Sequence, residues 1–172
     1  MAFSIPIKLA RQPDGSEPPR TVPERFTVMN EKIARFLESH QPSTPCLVVD
    51  LDIIRANYLA LADSLPQADV YYAVKANPAS EILETLVALG SRFDAASVPE
   101  IESCLQAGAT PAALSYGNTI KKQRDIARAH AHGVDLFTFD SEEELNKLSA
   151  AAPGARVICR ILMENNDAQW PL

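Results

Sequence analysis

The 172 residues lack the features that would suit them to a membrane, to nucleic acid or to an oxidising compartment. No apolar run approaches the roughly 20 residues needed to span a bilayer. The formal net charge of −6 argues against nucleic acid or an anionic lipid surface as the main partner. Only three cysteines are present, Cys46, Cys104 and Cys159, far apart and each among apolar residues. They are expected to be buried thiols of a reduced, cytoplasmic protein rather than a disulfide framework. Met1 to Arg20 has no apolar core segment and carries Pro13, Pro18 and Pro19, so it does not read as a secretory signal. Neither GxGxxG nor GxxxxGK[ST] occurs, so no phosphate loop is expected within these residues.

What is present describes an ordered domain. Hydrophobic residues make up 47% and charged ones 22%, enough apolar material for a single core. Residues 1–43 read as an amino-terminal arm, rich in proline up to residue 23, followed by a short amphipathic helix over Glu24–Ser39. From residue 44 to residue 172 the pattern becomes regular. Cys46–Val49 is a first strand, and Asp50 or Asp52 caps a helix carrying Ile54, Tyr58, Leu61 and Leu65. Strands are predicted at Val70–Val74, Arg92–Ala96, Leu114–Tyr116, Val134–Phe139 and Arg156–Leu162. Helices fall between them, stopped by Gly90, Gly108, Gly133 and Pro153-Gly154. Ser97-Val98-Pro99-Glu100 and Ser141-Glu142-Glu143-Glu144 read as capping boxes, and Thr119 as a helix start.

The strand ends at Val74, Ala95, Tyr116, Phe139 and Ile161 recur every 21 to 23 residues. A repeated βα unit explains this period, and its evenness favours a barrel over an open sheet. The expected fold class is α/β, a partial (β/α)8 TIM-like barrel. Five such strands fall about three short of the eight that close one, so the chain reads as the amino-terminal portion of a longer protein.

The candidate chemistry lies in Val70-Tyr71-Tyr72-Ala73-Val74-Lys75-Ala76-Asn77-Pro78. An apolar strand, read as buried on both faces, ends in a lysine, and Asn77-Pro78 forces the backbone into a turn. Lys75 is expected to leave dry surroundings at the carboxyl end of the sheet, where such folds bind ligands and where an amine can attack an aldehyde. Taken alone, an exposed strand-end lysine remains the commoner reading. Asp94 and Arg160 fall near the same ends of two other strands, and for each alone a structural ion pair or loop contact is the commoner reading. Together the three suit an anionic, aldehyde-bearing cofactor. The rest is structural: His130-Ala131-His132 is read as solvated, since residues two apart do not share a helix face. Glu142–Glu144 is read as complementing the helix dipole, and Lys121-Lys122 as a solvated face. No metal site is expected.

These residues resemble the fold-type III pyridoxal-phosphate decarboxylases, the ornithine, diaminopimelate and arginine decarboxylase group, whose barrel is like that of alanine racemase. The resemblance rests on Tyr72-Ala73-Val74-Lys75-Ala76-Asn77, Phe93-Asp94-Ala95-Ala96-Ser97 with Glu100-Ile101, Tyr116-Gly117-Asn118 with Lys121, Phe139-Asp140-Ser141-Glu142 with Glu144-Leu145, and Arg160-Ile161, in the family's order from Thr44 to Leu172. It implies pyridoxal 5′-phosphate as cofactor, held covalently by Lys75, with Asp94 and Arg160 in the cofactor pocket. The implied reaction is decarboxylation of a small-molecule amino acid, L-ornithine to putrescine first, with lysine, diaminopimelate or arginine as alternatives. It further implies a homodimer. A non-catalytic regulatory homologue and a racemase-like barrel are the other classes. The family's phosphate-binding glycine loop, the glutamate at the pyridine nitrogen and the carboxyl-terminal β-domain have no counterparts here. The chain alone is therefore expected to be inactive, and the strand at Cys46–Val49 to lack its partners.

Overall fold

Most helices of this protein begin where a short polar side chain accepts from a free backbone N–H. Asn30 Oδ1 accepts from Lys32 at 2.8 Å, and Asp50 Oδ1 from Asp52 at 3.0 Å. Ser97 Oγ and Ser141 Oγ accept from Glu100 and Glu144 at 3.4 and 3.3 Å. Such caps satisfy donors that no helical carbonyl can reach. The computed structural model describes residues 2–6 and 30–162, which fall into two units, 1–56 and 57–172.

In the first unit, strand β1 (Ala2–Pro6) pairs antiparallel with β2 (Cys46–Asp50). Strand β2, expected to lack the partners of a carboxyl-terminal β-domain, has a ladder partner in β1 that the sequence reading did not foresee: local pattern marks a strand but not which distant segment pairs with it. Helix α1 spans Glu31–His40; residues 24–29 of the expected helix lie outside the described residues. Lys32 Nζ bonds Asp50 Oδ1 at 2.7 Å and also pairs with Asp52. Helix α2 (Leu51–Ser64) follows and runs into the second unit.

The second unit is a five-stranded parallel sheet in the order β3-β4-β5-β6-β7. Its strands are β3 (Tyr71–Ala73), β4 (Arg92–Ala95), β5 (Leu114–Tyr116), β6 (Leu136–Phe139) and β7 (Arg156–Cys159). Consecutive strands are joined by α3 (Ser80–Ala88), α4 (Val98–Gln106), α5 (Gln123–Ala131) and α6 (Glu142–Ala151). Each strand lies beside the next in sequence, as the regular period predicts. The core is one layer between sheet and helices. Phe93, Leu114 and Phe137 from the strands meet Leu83, Ile101, Ile126 and Leu148 from the helices, all essentially inaccessible. Truncating any of these to alanine should cost about 2–5 kcal/mol.

Three local expectations are revised. The strand before Lys75 is shorter than expected and is not buried on both faces. It is an outer strand of this sheet, Tyr71 is exposed, and Val74–Ala76 form a 3-10 turn. Thr119 does not open a helix; α5 starts four residues later, because the intervening segment is drawn inward by Thr119 and Lys121, both buried. The cysteines differ from one another: Cys104 is buried, Cys46 is intermediate and Cys159 is exposed on the outer strand β7. Burial, helped by Glu100, pushes the Cys104 thiol up to about 12, which makes it inert.

Candidate functional site

Parallel register carries side chains of one rung to the same side of a sheet, and here it aligns Ala73 with Asp94 and Asp94 with Ser115. Alternation along β4 turns Asp94 away from Phe93 and Ala95, which are fully buried. Asp94 is half-buried. Burial pushes its carboxyl above the usual range, while the Ser115 hydroxyl and the charges of Lys75 and Arg160 pull it back without cancelling the effect. The carboxylate therefore lies in the field of both cations.

Lys75 sits on the 3-10 turn immediately beyond β3, and Arg160 immediately beyond β7, where its backbone N–H donates to Phe139 O at 2.8 Å. Both side chains are exposed. The expectation of dry surroundings for Lys75 is corrected: Val74 before it is fully buried, but the turn carries the amine back into solvent. Neither cation belongs to the ion pairs found among the described residues. All three candidates thus come together at the carboxyl ends of the strands, with the amine and the guanidinium uncommitted. An uncommitted amine and an uncommitted guanidinium at the same end of one sheet suit an anionic aldehyde such as pyridoxal phosphate.

The loop after β5 supports this arrangement in two ways that sequence reading missed. Gly117 is a spacer. A Cβ built on it would lie 2.0 Å from Asp94 Oδ1 and 2.6 Å from Asp94 Cγ, so the Asp94 carboxylate fills the room a side chain would take. The Gly117 N–H donates to Ala95 O at 2.9 Å, which fixes the close approach.

Lys121 is the second. It reads in the sequence as a solvated face, yet its side chain is completely buried. Its ammonium donates to Asn118 O at 2.8 Å and Thr138 O at 2.6 Å, and lies 2.8 Å from Glu144 Oε1. Glu144, read as a dipole residue, is equally buried and also pairs with Lys147. Lys147 Nζ in turn donates to Lys121 O at 2.6 Å. Burial alone would push the Glu144 carboxyl up, but the hydrogen bonds from Lys121 and Lys147 and the charge of Lys121 outweigh it and hold the group below its ordinary range. The network ties the loop after β5 to the end of β6 and the start of α6. Its signal in the sequence is the separation of 23 residues between Lys121 and Glu144, one βα period.

The histidines take no part. His132 Nε2 lies 3.0 Å from Glu102 Oε1 on the helical side, and no cluster of three metal-binding side chains occurs among the described residues.

The chain is similar to known proteins over most of its length. Residues 51–172 match the family model described as pyridoxal-dependent decarboxylase, pyridoxal binding domain. The chain is 41% identical over 140 residues to the lysine/ornithine decarboxylase of Selenomonas ruminantium, covering 81% of this chain and 35% of that protein. It is 34% identical over 148 residues to the ornithine decarboxylase of Rattus norvegicus, covering 84% and 32%. A solved structure of the Selenomonas ruminantium lysine decarboxylase superposes with a TM-score of 0.72 at 38% identity, covering 83% of this chain and 37% of that one. The chain spans about a third of the length of these relatives. The parallel sheet of consecutive βα units is an arc of the barrel expected from the sequence.

Proposed function

The chain belongs to the pyridoxal-dependent decarboxylase family, and from that premise we propose that it serves the decarboxylation of a basic amino acid, L-ornithine to putrescine in the first reading. Lysine ranks second, supported by the likeness to a relative named for both substrates. Diaminopimelate and arginine rank below them. The observation that carries the reading is that Lys75, Asp94 and Arg160 stand at the carboxyl ends of strands of one parallel sheet, with Lys75 and Arg160 outside the ion pairs found among the described residues.

Lys75 would hold the cofactor aldehyde through its amine nitrogen, and its exposure would leave that nitrogen accessible to a substrate amine. Asp94, on the neighbouring strand, would offer a carboxylate as counter-charge to that nitrogen. Its raised pKa lets it take up a proton more readily than an ordinary aspartate. Arg160 adds a permanent positive charge suited to an anionic group. When bound, the pyridoxal ring accepts the electron pair left behind as the substrate carboxylate departs as carbon dioxide. An intact Lys75 counts against a purely regulatory role. We further propose a cytoplasmic homodimer as the working form, consistent with three free cysteines. Because the chain spans about a third of its relatives, carbon dioxide release by these residues alone is expected to be undetectable.

The test uses the chain as it stands. Incubation with pyridoxal 5′-phosphate followed by borohydride reduction and peptide mass spectrometry should place the pyridoxyl label on Lys75 ahead of the other lysines. Lys75→Ala should remove that label and leave the thermal midpoint unchanged, because an exposed side chain without partners contributes within about 0.5 kcal/mol. A label spread evenly over the surface lysines would overturn the assignment.

A further inference from the structure

The turn that carries Lys75 is three residues of 3-10 helix, Val74–Ala76, a conformation with poor hydrogen-bond geometry that persists only in short pieces. Nothing within it fixes where a long, exposed side chain starts. The ties come from outside. On the near side, Ala73 is held in register against Asp94. On the far side, Asn77 adopts extended backbone and its Oδ1 accepts the Ala79 N–H at 3.1 Å, joining the turn to the start of α3. One side chain bridges the two sides. Tyr72 Oη donates to Asn77 O at 3.0 Å, closing a loop from Tyr72 to Asn77 around Lys75.

Tyr72 is well placed for this. Its ring meets Phe93 edge-on, with centroids 6.5 Å apart and planes at 83°, so the ring cannot swing without disturbing the fully buried Phe93. Burial pushes the phenol above its ordinary range, so the hydroxyl remains a donor at physiological pH.

We propose that Tyr72 is a positioning residue for Lys75, its hydroxyl bracketing the 3-10 turn so that the amine is presented from a fixed base at the mouth of the sheet. The inference rests on the cofactor reading of Lys75 for its purpose, but the bracket itself does not.

Tyr72→Phe removes the hydroxyl and keeps the ring packing, so the fold should survive. Two readouts are compared in the chain as it stands. Amide hydrogen exchange at Ala76, Asn77 and Ala79 should quicken about fivefold, the size expected for one lost hydrogen bond, with α5 unaffected. Pyridoxyl labelling of Lys75, measured against the exposed Lys122 in the same sample, should slow by a similar factor while the thermal midpoint holds. Unchanged exchange overturns the bracket. Faster exchange with unchanged labelling overturns the positioning role. A wild-type chain that shows no preference for Lys75 overturns the cofactor reading instead, and the exchange data then still decide the bracket. Tyr72→Leu, which loses ring and hydroxyl together, should quicken exchange at least as much; if it does not, the bracket is likewise wrong.

Discussion

Two turns at the carboxyl ends of the sheet each carry a lysine, and they use it in opposite ways. After β3, Lys75 is exposed and outside every ion pair found among the described residues, while its neighbours Tyr72 and Asn77 hold the turn for it. After β5, Lys121 is fully buried and its ammonium holds the loop together through two carbonyls and a carboxylate. One turn is organised so that its amine stays free; the other is organised by its amine. Residue type therefore says little about role at such a site. What separates the two lysines is whether the nitrogen has acceptors of its own.

The sharpest way to break this contrast is Lys121→Met. It leaves Glu144 buried with one cation fewer and two carbonyls without a donor, and breaking a buried pair costs about 3–5 kcal/mol. Chemical denaturation should show that loss, whereas Lys75→Ala should show almost none. Equal effects from the two would erase the distinction.

Gly117→Ala comes next. A methyl group in the space now filled by the Asp94 carboxylate should cost about 1–2 kcal/mol and swing that carboxylate away from Ser115 and the two cations. The Asp94 titration, followed by NMR, should shift accordingly. An unmoved titration would mean that the spacing at Gly117 has no bearing on Asp94.

The smallest effect is a pH dependence. The Glu144 carboxyl is held below its ordinary value of 4.5 in the folded chain. Its contribution to stability is therefore complete above that value and is lost as pH falls through the lower folded-state one. Urea midpoints should decline over that window, and less steeply in Glu144→Gln. Matching slopes would show that the lysine pair does not hold the charge.

Much of the scaffold was legible in the sequence because its determinants are local. Ser97, Ser141 and Gly90 mark helix ends by their own chemistry, and the 21- to 23-residue period puts Lys75, Asp94 and Arg160 at one end of the sheet. What escaped depends on partners far along the chain. Thr138 and Glu144 lie 17 and 23 residues from Lys121, so no window around Lys121-Lys122 reveals that one of the pair is buried. The hydroxyl of Tyr72 was likewise read only as part of an apolar run. The pairing of β2 escaped for the same reason: its partners in β1 lie 40 to 48 residues earlier in the chain.

The sheet order has a kinetic consequence. Every ladder from β3 to β7 joins strands that are neighbours in sequence, so each pairing closes only a short stretch of chain and the sheet can grow one unit at a time. The charges around Asp94, however, come from its first and last strands. Such a sheet could be nearly complete and still bear no trace of its final electrostatics until β7 docks and brings Arg160 to the rim.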